Sequence, residues 1–523
     1  MADAPAFHKK TYQGRHQMNA VEMLGITKKF NGMPANDNVD FYVEKGEIHS
    51  LLGENGAGKT TLMNILFGMY RADSGIIKIN GEEVRITSPR VAIENGISMV
   101  HQHFMLVDSL TVTENIVLGQ EPKKGPFFDL EDAFRQIGKL ADRYHFKVDP
   151  RAKIRDLSVG VRQRVEILKA LYHKADILIL DEPTAVLTPQ EVGDLFTVLR
   201  GLKADGKTVI IITHKLKETM AVADSVTILR KGKKVTRLPI EEVDEQKLAD
   251  LMVGRFVDLG IKKKDLRADR PVRISLKDIV LEKNGRNVLD HVSLEIRSGE
   301  ILGIAGVEGN GQTELIEVIT GIEKDYGGRI TEDGRDITGT DAAGMLKVIG
   351  HIPEDRAMRG YISNFSNWEN LILGYHTLPQ YMSRQGILKT KQIRRDAQEA
   401  IETYDVRTEG IDQPTGSLSG GNQQKLIVGR ALKHHNGVLV AAQPTRGVDI
   451  GAIEYIHSQL MAVRDSGGAV ILISADLDEI VKLSDRIAVI YEGKIAACRP
   501  AAGFSESELG AYMLGKGESN DEE

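Results

Sequence analysis

Eight residues, Gly53 to Thr60, read GENGAGKT and fit the spacing G-x-x-x-x-G-K-[ST]. In such a loop, Gly53, Glu54, Asn55, Gly56, Ala57 and Gly58 bring backbone N–H groups to bear on phosphate oxygens. Lys59 adds a point charge for the β and γ phosphates, and the Thr60 hydroxyl can ligate Mg²⁺, with Thr61 beside it. Asp181 and Glu182 follow the apolar run Ile177 to Leu180. A carboxylate at a strand end can hold Mg²⁺, and its neighbour can orient and deprotonate an attacking water. His214 closes the run VIIIT, where an imidazole can meet a γ phosphate, or simply face solvent. Gln102, in MVHQHF, could sense Mg²⁺ and the water through its amide. Phe30, 23 residues before Gly53, could stack on a purine base or pack in a core.

Groups so far apart in sequence need a scaffold that gathers them. Ile48 to Leu52 reads as a short buried strand leading into the glycines, and Leu62, Ile65, Leu66 and Met69 recur at helical spacing behind them. Ile177 to Leu180 and Val209 to Ile212 are continuous apolar runs of strand length, as in a parallel sheet covered on both faces. Thr113 to Leu171 is mostly helical in pattern, interrupted at Gly125-Pro126. Each half therefore reads as α/β.

The pattern is written twice. VEKGEIHSLLGENGAGKTTL, from Val43, is echoed by IRSGEILGIAGVEGNGQTEL, from Ile296. LSVGVRQR, from Leu157, is echoed by LSGGNQQK, from Leu418, and ILILDEPTAVLT by VLVAAQPTRGVD. We expect a tail at 1–18, a first domain at 19–258, a charged linker at 259–271, a second domain at 272–517 and an acidic tail at 518–523.

Composition narrows the classes. The 523 residues are 41% hydrophobic and 27% charged, which is globular. A net charge of −6 argues against nucleic acid as the main partner. One cysteine, Cys498, excludes an internal disulfide and a cysteine-built metal centre. No apolar run reaches the ~20 residues that span a bilayer, and the first 18 lack a signal-peptide core. The expectation is a soluble intracellular protein or one peripheral to a membrane.

Phosphate loop, glutamine, LSxG, strand–Asp–Glu and histidine follow in an order that resembles the ATP-binding-cassette family, twice over nearly the whole chain. The resemblance implies two tandem P-loop NTPase domains, each with a mixed, largely parallel core sheet, an antiparallel β region and a helical subdomain. It implies ATP and Mg²⁺ as ligands. It also implies that two cassettes close head to tail around ATP, so that the phosphate loop of one faces the LSxG segment of the other.

The two halves differ in what they keep. Gln312 replaces Lys59, Ala442 and Gln443 replace Asp181 and Glu182, and Ala475 replaces His214. Glu354 stands for Gln102 and Lys283 for Phe30. Conversely, the second half has an intact LSGGN, whose Ser419, Gly420 and Gly421 can grip a γ phosphate at a helix start. The first half has Val159 where the second has Gly420. Paired head to tail, these complementary losses give one hydrolytic site and one defective site.

Tandem cassettes with a degenerate second half resemble the ATPases of simple-sugar-class bacterial importers. VHQHFMLV and AAQPTRGVDIGAIEYIH look most like the nucleoside-type members. That likeness implies two transmembrane permease subunits, a substrate-binding lipoprotein reached indirectly, no nucleic acid, and a place on the cytoplasmic face of the cell (inner) membrane. Sugar importers are the alternative within the class. A soluble twin-cassette translation factor would keep both glutamates and carry a long basic linker. A DNA-repair or chromosome-structuring ATPase would need zinc cysteines or a long coiled coil. The stretches Phe104 to Glu121 and Arg356 to Gly374 are candidates for permease docking or for helical core, and Trp368 is expected to be packed.

Overall fold

The computed structural model describes residues 18–101, 105–144, 146–184, 187, 189–257, 263–264, 270–307 and 309–516. These divide into two compact units, with the break between Phe256 and Val257.

In the first unit, six strands form one sheet in the order Lys233–Pro239, Ser225–Arg230, Ile48–Leu52, Thr208–Thr213, Ile177–Asp181, Ile97–Val100. All neighbours run parallel except the Lys233–Pro239 edge. Every residue of Ile48–Leu52, Ile177–Asp181 and Thr208–Thr213 is buried. Their side chains alternate between two cores, one per face. Leu51, Ile177, Ile179, Ile210 and Ile212 join one, and Ile48, Leu178, Leu180, Val209 and Ile211 the other. This double covering is why the strands read as unbroken apolar runs.

The antiparallel region is built on the hairpin Asn19–Phe30/Met33–Glu44. Asn31 and Gly32, both at positive φ, make its two-residue turn, the conformation Asn-Gly favours. Phe30 is thereby fixed at a strand tip. Between the glutamine segment and the LSxG segment lie the helices Val112–Val117 and Leu130–Arg143, and the LSxG segment itself runs into the helix Val159–Tyr172. The Gly125-Pro126 interruption is a small hairpin pairing Lys123–Lys124 with Phe127–Phe128.

The second unit repeats the plan. Its parallel sheet runs Gly350–Ile352, Val438–Ala442, Ala469–Ile473, Ile301–Ala305, Arg486–Tyr491, with the antiparallel edge Lys494–Pro500. Asn284 and Gly285 turn the matching long hairpin. Even the entry to the helical segment is copied: Thr111 with Glu114, and Ser366 with Glu369, form capping boxes. Trp368 packs against two apolar clusters. The described part of the linker is bound to this unit, Arg270 pairing with Glu300 at 3.2 Å and Lys263 donating to the Ser484 carbonyl at 2.6 Å.

One buried carboxylate recurs at the start of each parallel sheet. Glu47 accepts from the Glu44 N–H (2.8 Å), Ser225 (3.0 Å) and Arg237 (3.1 Å), with His49 at 3.1 Å. Burial pushes its carboxyl up, but His49 and Arg237 more than offset that and hold it down to about 2. Glu300 is its twin, accepting from the Arg297 N–H and pairing with Arg270 and Arg486. Among the described residues, no helix is long and apolar enough to cross a membrane.

Candidate phosphate-transfer site

The strand Ile48–Leu52 delivers the chain into the glycine loop, and the helix Lys59–Leu66 begins directly behind it. Gly58 caps that helix at φ 96, and no side chain takes its first N–H groups. They are left pointing into the loop, as an anion site requires. A side chain at Gly58 would run into the Ala35 carbonyl and the Asn36 amide. Lys59 is buried, and its ammonium curls back to the carbonyls of Gly53 (2.6 Å) and Glu54 (3.0 Å). Burial holds its pKa below the usual lysine value, against the pull of Glu182, Asp181 and Glu54.

The ends of two neighbouring strands bring in the carboxylates and the histidine. Asp181 is the last residue of its strand and lies near the Thr60 hydroxyl. Burial, then the charge of Glu182, pushes its carboxyl up to about 6, against the downward pull of that hydroxyl. Glu182 steps off the strand at φ 47, left-handed backbone for a non-glycine residue, its N–H held by the Ile212 carbonyl at 2.9 Å. Its Oε1 lies 3.0 Å from Nδ1 of His214. That bond, above all, holds the Glu182 carboxyl below its ordinary range. His214 lies one residue past its strand, which ends at Thr213, so the ring can turn toward Glu182.

Three further contacts brace this corner. Thr184 donates to Glu218 at 2.5 Å, Lys215 reaches the Thr184 carbonyl at 3.2 Å, and Gln163 donates to the Pro183 carbonyl at 2.6 Å. The sequence reading did not single out these residues. Only Gln163 left a trace there, since the repeat places Gln424 in its position, donating to the Pro444 carbonyl at 2.7 Å.

Phe30 is 41% exposed, so it is no core aromatic. Tyr70, which the sequence reading missed, meets it edge-on with centroids 5.3 Å apart. An aromatic placed just behind the phosphate-loop helix was the available signal. Gln102 and Phe104 lie outside the described residues. Of the flanking stretch, Met105 and Val107 are exposed, while Leu106 packs on the core.

The site's residues fit ATP and Mg²⁺. An uncapped helix start and a buried lysine suit phosphates, and a paired hydroxyl and carboxylate suit a hard cation. No group of three or more His, Cys, Asp or Glu that could hold a metal exists among the described residues. A two-ligand arrangement of this kind matches Mg²⁺, which keeps waters and shares phosphate oxygens.

The second unit keeps the backbone and has changed the chemistry. Gln312 follows a left-handed Gly311, and its amide donates to the Val307 carbonyl at 3.1 Å, standing in for the lysine. Its Oε1 is buried without a hydrogen-bond partner among the described residues. Gln443 keeps the left-handed turn at φ 46 and accepts from the Ala475 N–H at 3.1 Å. Thr313 reaches Glu354 at 3.4 Å, and Arg446 lies 3.5 Å from the same carboxylate. Where Phe30 meets Tyr70, Lys283 and Arg359 both pair with Glu317. A purine has no aromatic face to stack on there. Ser419 precedes the helix Gly420–His434, whose first N–H groups receive no side-chain cap. In the first unit the equivalent helix starts at Val159.

Comparison with known proteins places these features in context. The profile of the ABC transporter family matches residues 36–185 and 289–446. The chain is 48% identical to the guanosine import ATP-binding protein NupO of Bacillus subtilis, over 95% of this chain and 97% of that protein. It is 47% identical to the nucleoside import ATP-binding protein NupA of Lactococcus lactis, over 95% and 98%. The galactose/methyl galactoside import ATP-binding protein MglA of Salmonella typhimurium is 36% identical over 94% and 96%. Among solved structures, the complex of archaeal ribosomal stalk protein and archaeal ribosome recycling factor matches at a TM-score of 0.61. It covers 91% of this chain and 90% of that one at 15% identity, a likeness of fold alone.

Proposed function

The chain belongs to the ABC transporter family, and on that premise we propose that it is the ATP-hydrolysing subunit of an importer for nucleosides. ATP is its substrate and Mg²⁺ its cofactor. It works with membrane permease subunits and a substrate-binding protein, as a peripheral subunit on the cytoplasmic side. The observation that carries hydrolysis is the Glu182–His214 pair beside buried Lys59, found in the first half and replaced throughout in the second. The nucleoside reading is supported by relatives at 47–48% identity along almost the whole chain.

In this reading the loop Gly53–Thr61 binds the phosphates, and Lys59 turns its ammonium from two loop carbonyls toward the β and γ oxygens. Phe30, with Tyr70 behind it, stacks on adenine. Thr60, Asp181 and Gln102 would hold Mg²⁺, which neutralises charge on the phosphates. Glu182, kept ionised by His214, takes the proton of the attacking water. His214 is left with Nε2 for the γ phosphate. Ser419, Gly420 and Gly421 of the second half stand at an uncapped helix start, a ready grip for a γ phosphate. Loss of the γ phosphate releases the closed state, and permeases read out the change.

A second reading, a sugar importer, is supported by the galactose-type relatives at 36% identity. Purifying the chain from native membranes in mild detergent tests both. Two multi-span proteins should accompany it, and the associated binding protein should take nucleosides when screened against nucleosides and sugars. Capture of sugars alone replaces the nucleoside reading. Recovery with ribosomes and without membrane partners overturns the importer.

A further inference from the structure

Between the helices Asn367–Leu371 and Thr390–Thr403, the second half carries a hairpin that ATP binding does not use. It is firmly built. The Ser383 N–H donates to the Ile387 carbonyl (2.9 Å), Gly386 to Ser383 (3.0 Å) and Lys389 to Tyr381 (2.8 Å), and Met382 pairs with Leu388. Tyr381 anchors its base at 1% exposure. Yet its tip turns apolar side chains outward: Ile387 is 64% exposed and Leu388 39%. A hydrogen-bonded, anchored hairpin that shows adjacent aliphatics to solvent has the form of a contact element.

The charge around it is one-sided. Residues 370 to 395, between Glu369 and Asp396, contain five Lys and Arg and no Asp or Glu, and the acids of the following helix, Asp396, Glu399 and Glu402, come only after its basic first turns. Arg394 is committed to Asp412 through two 2.6 Å bonds. Arg384, Lys391 and Arg395 are exposed and have no acidic partner among the described residues. The first half has a hairpin at the same point of the repeat, with Phe127 and Phe128 exposed beside Lys123 and Lys124. Its sequence is different and its chemistry similar, although Glu121, Asp129, Glu131 and Asp132 offset its lysines. The electrostatic case therefore rests on the second hairpin.

We propose that the hairpin Ser383–Lys389 docks on the anionic phospholipid surface of the membrane. Ile387 and Leu388 enter the headgroup layer, while Arg384, Lys391 and Arg395 meet lipid phosphates. An apolar pair alone would suit a groove in a protein. The three exposed cations that make no ion pair among the described residues, Arg384, Lys391 and Arg395, are what complement a negatively charged leaflet. This contact is independent of the solute carried and of turnover.

Flotation of the purified full chain tests it. The vesicles are phosphatidylcholine alone, or phosphatidylcholine with about one third phosphatidylglycerol. The chain should float with the anionic vesicles, and high salt should release it. Replacing Arg384, Lys391 and Arg395 together by Gln should weaken that partition about a hundredfold, at roughly fivefold per charge. Ile387→Ser with Leu388→Ser should weaken it too. ATPase activity and far-UV circular dichroism should stay unchanged in both variants, which separates this result from failure of the hydrolytic site. Equal flotation with both vesicles, or undiminished flotation of the triple variant, overturns the proposal. Loss of permease co-purification in the triple variant, with flotation intact, assigns the hairpin to a protein and overturns it equally.

Discussion

Glu182 holds a left-handed backbone that costs a non-glycine residue about 1–3 kcal/mol, and it is kept there by the Ile212 carbonyl and by His214. The strain aims a carboxylate beyond the sheet, next to Asp181 and Lys59, where the proposed mechanism needs a base for the attacking water. Glu182→Gln should therefore reduce steady-state ATP turnover by about 10²–10⁴, with nucleotide binding retained. Gln443 has the same backbone and only a hydrogen bond to the Ala475 N–H, so Gln443→Ala should leave turnover close to native. Comparable losses in the two variants would remove the functional difference between the halves.

Elements decide which of these residues can meet, and the glycine loop shows how sharply. Gly58 and Gly56 both have positive φ, but a side chain at Gly58 meets the Ala35 carbonyl, whereas Gly56 has open space. Gly56→Ala should cost about 1 kcal/mol, the left-handed backbone alone. Gly58→Ala should cost about 2–4 kcal/mol, because main chain must shift, and should abolish ATP binding. Denaturant unfolding and nucleotide titration of the two variants check both. Glu47 governs a different property of the same sheet. Its carboxyl is held down from an ordinary 4.5 to about 2, so its contribution is complete above about pH 4.5 and is lost as pH falls toward 2. Thermal melts of Glu47→Gln should be less stable than native at neutral pH, with the gap closing through that acid range. Much of this scaffold was legible, because buried parallel strands write unbroken apolar runs and the repeat aligned the two halves. Tyr70, Glu317 and Arg359 were not, because a hairpin tip and distant segments bring them to positions 30 and 283. Neither was the Thr184–Lys215–Glu218 brace, since single polar residues carry no periodic signal.

At the scale of the whole chain, the two halves share a plan and divide the site's residues, which on the proposed function is a division of labour. The first half keeps lysine, both carboxylates and histidine, and the second keeps the glycine-rich helix start. Photolabelling with an azido-ATP during turnover should place labelled diphosphate on peptides of the first half alone. Diphosphate on both halves would show two hydrolytic centres. The unequal side chains stand on nearly equal main chains: φ is 47 at Glu182 and 46 at Gln443, and 96 at Gly58 and 109 at Gly311. The second half thus holds the same main-chain mould as the first, filled with different side chains. Reversion there is a matter of side chains. Gln312→Lys, Ala442→Asp, Gln443→Glu and Ala475→His require no new turn, yet they leave the Lys283–Glu317–Arg359 cluster, Glu354 in place of Gln102 and Val159 in the first half unchanged.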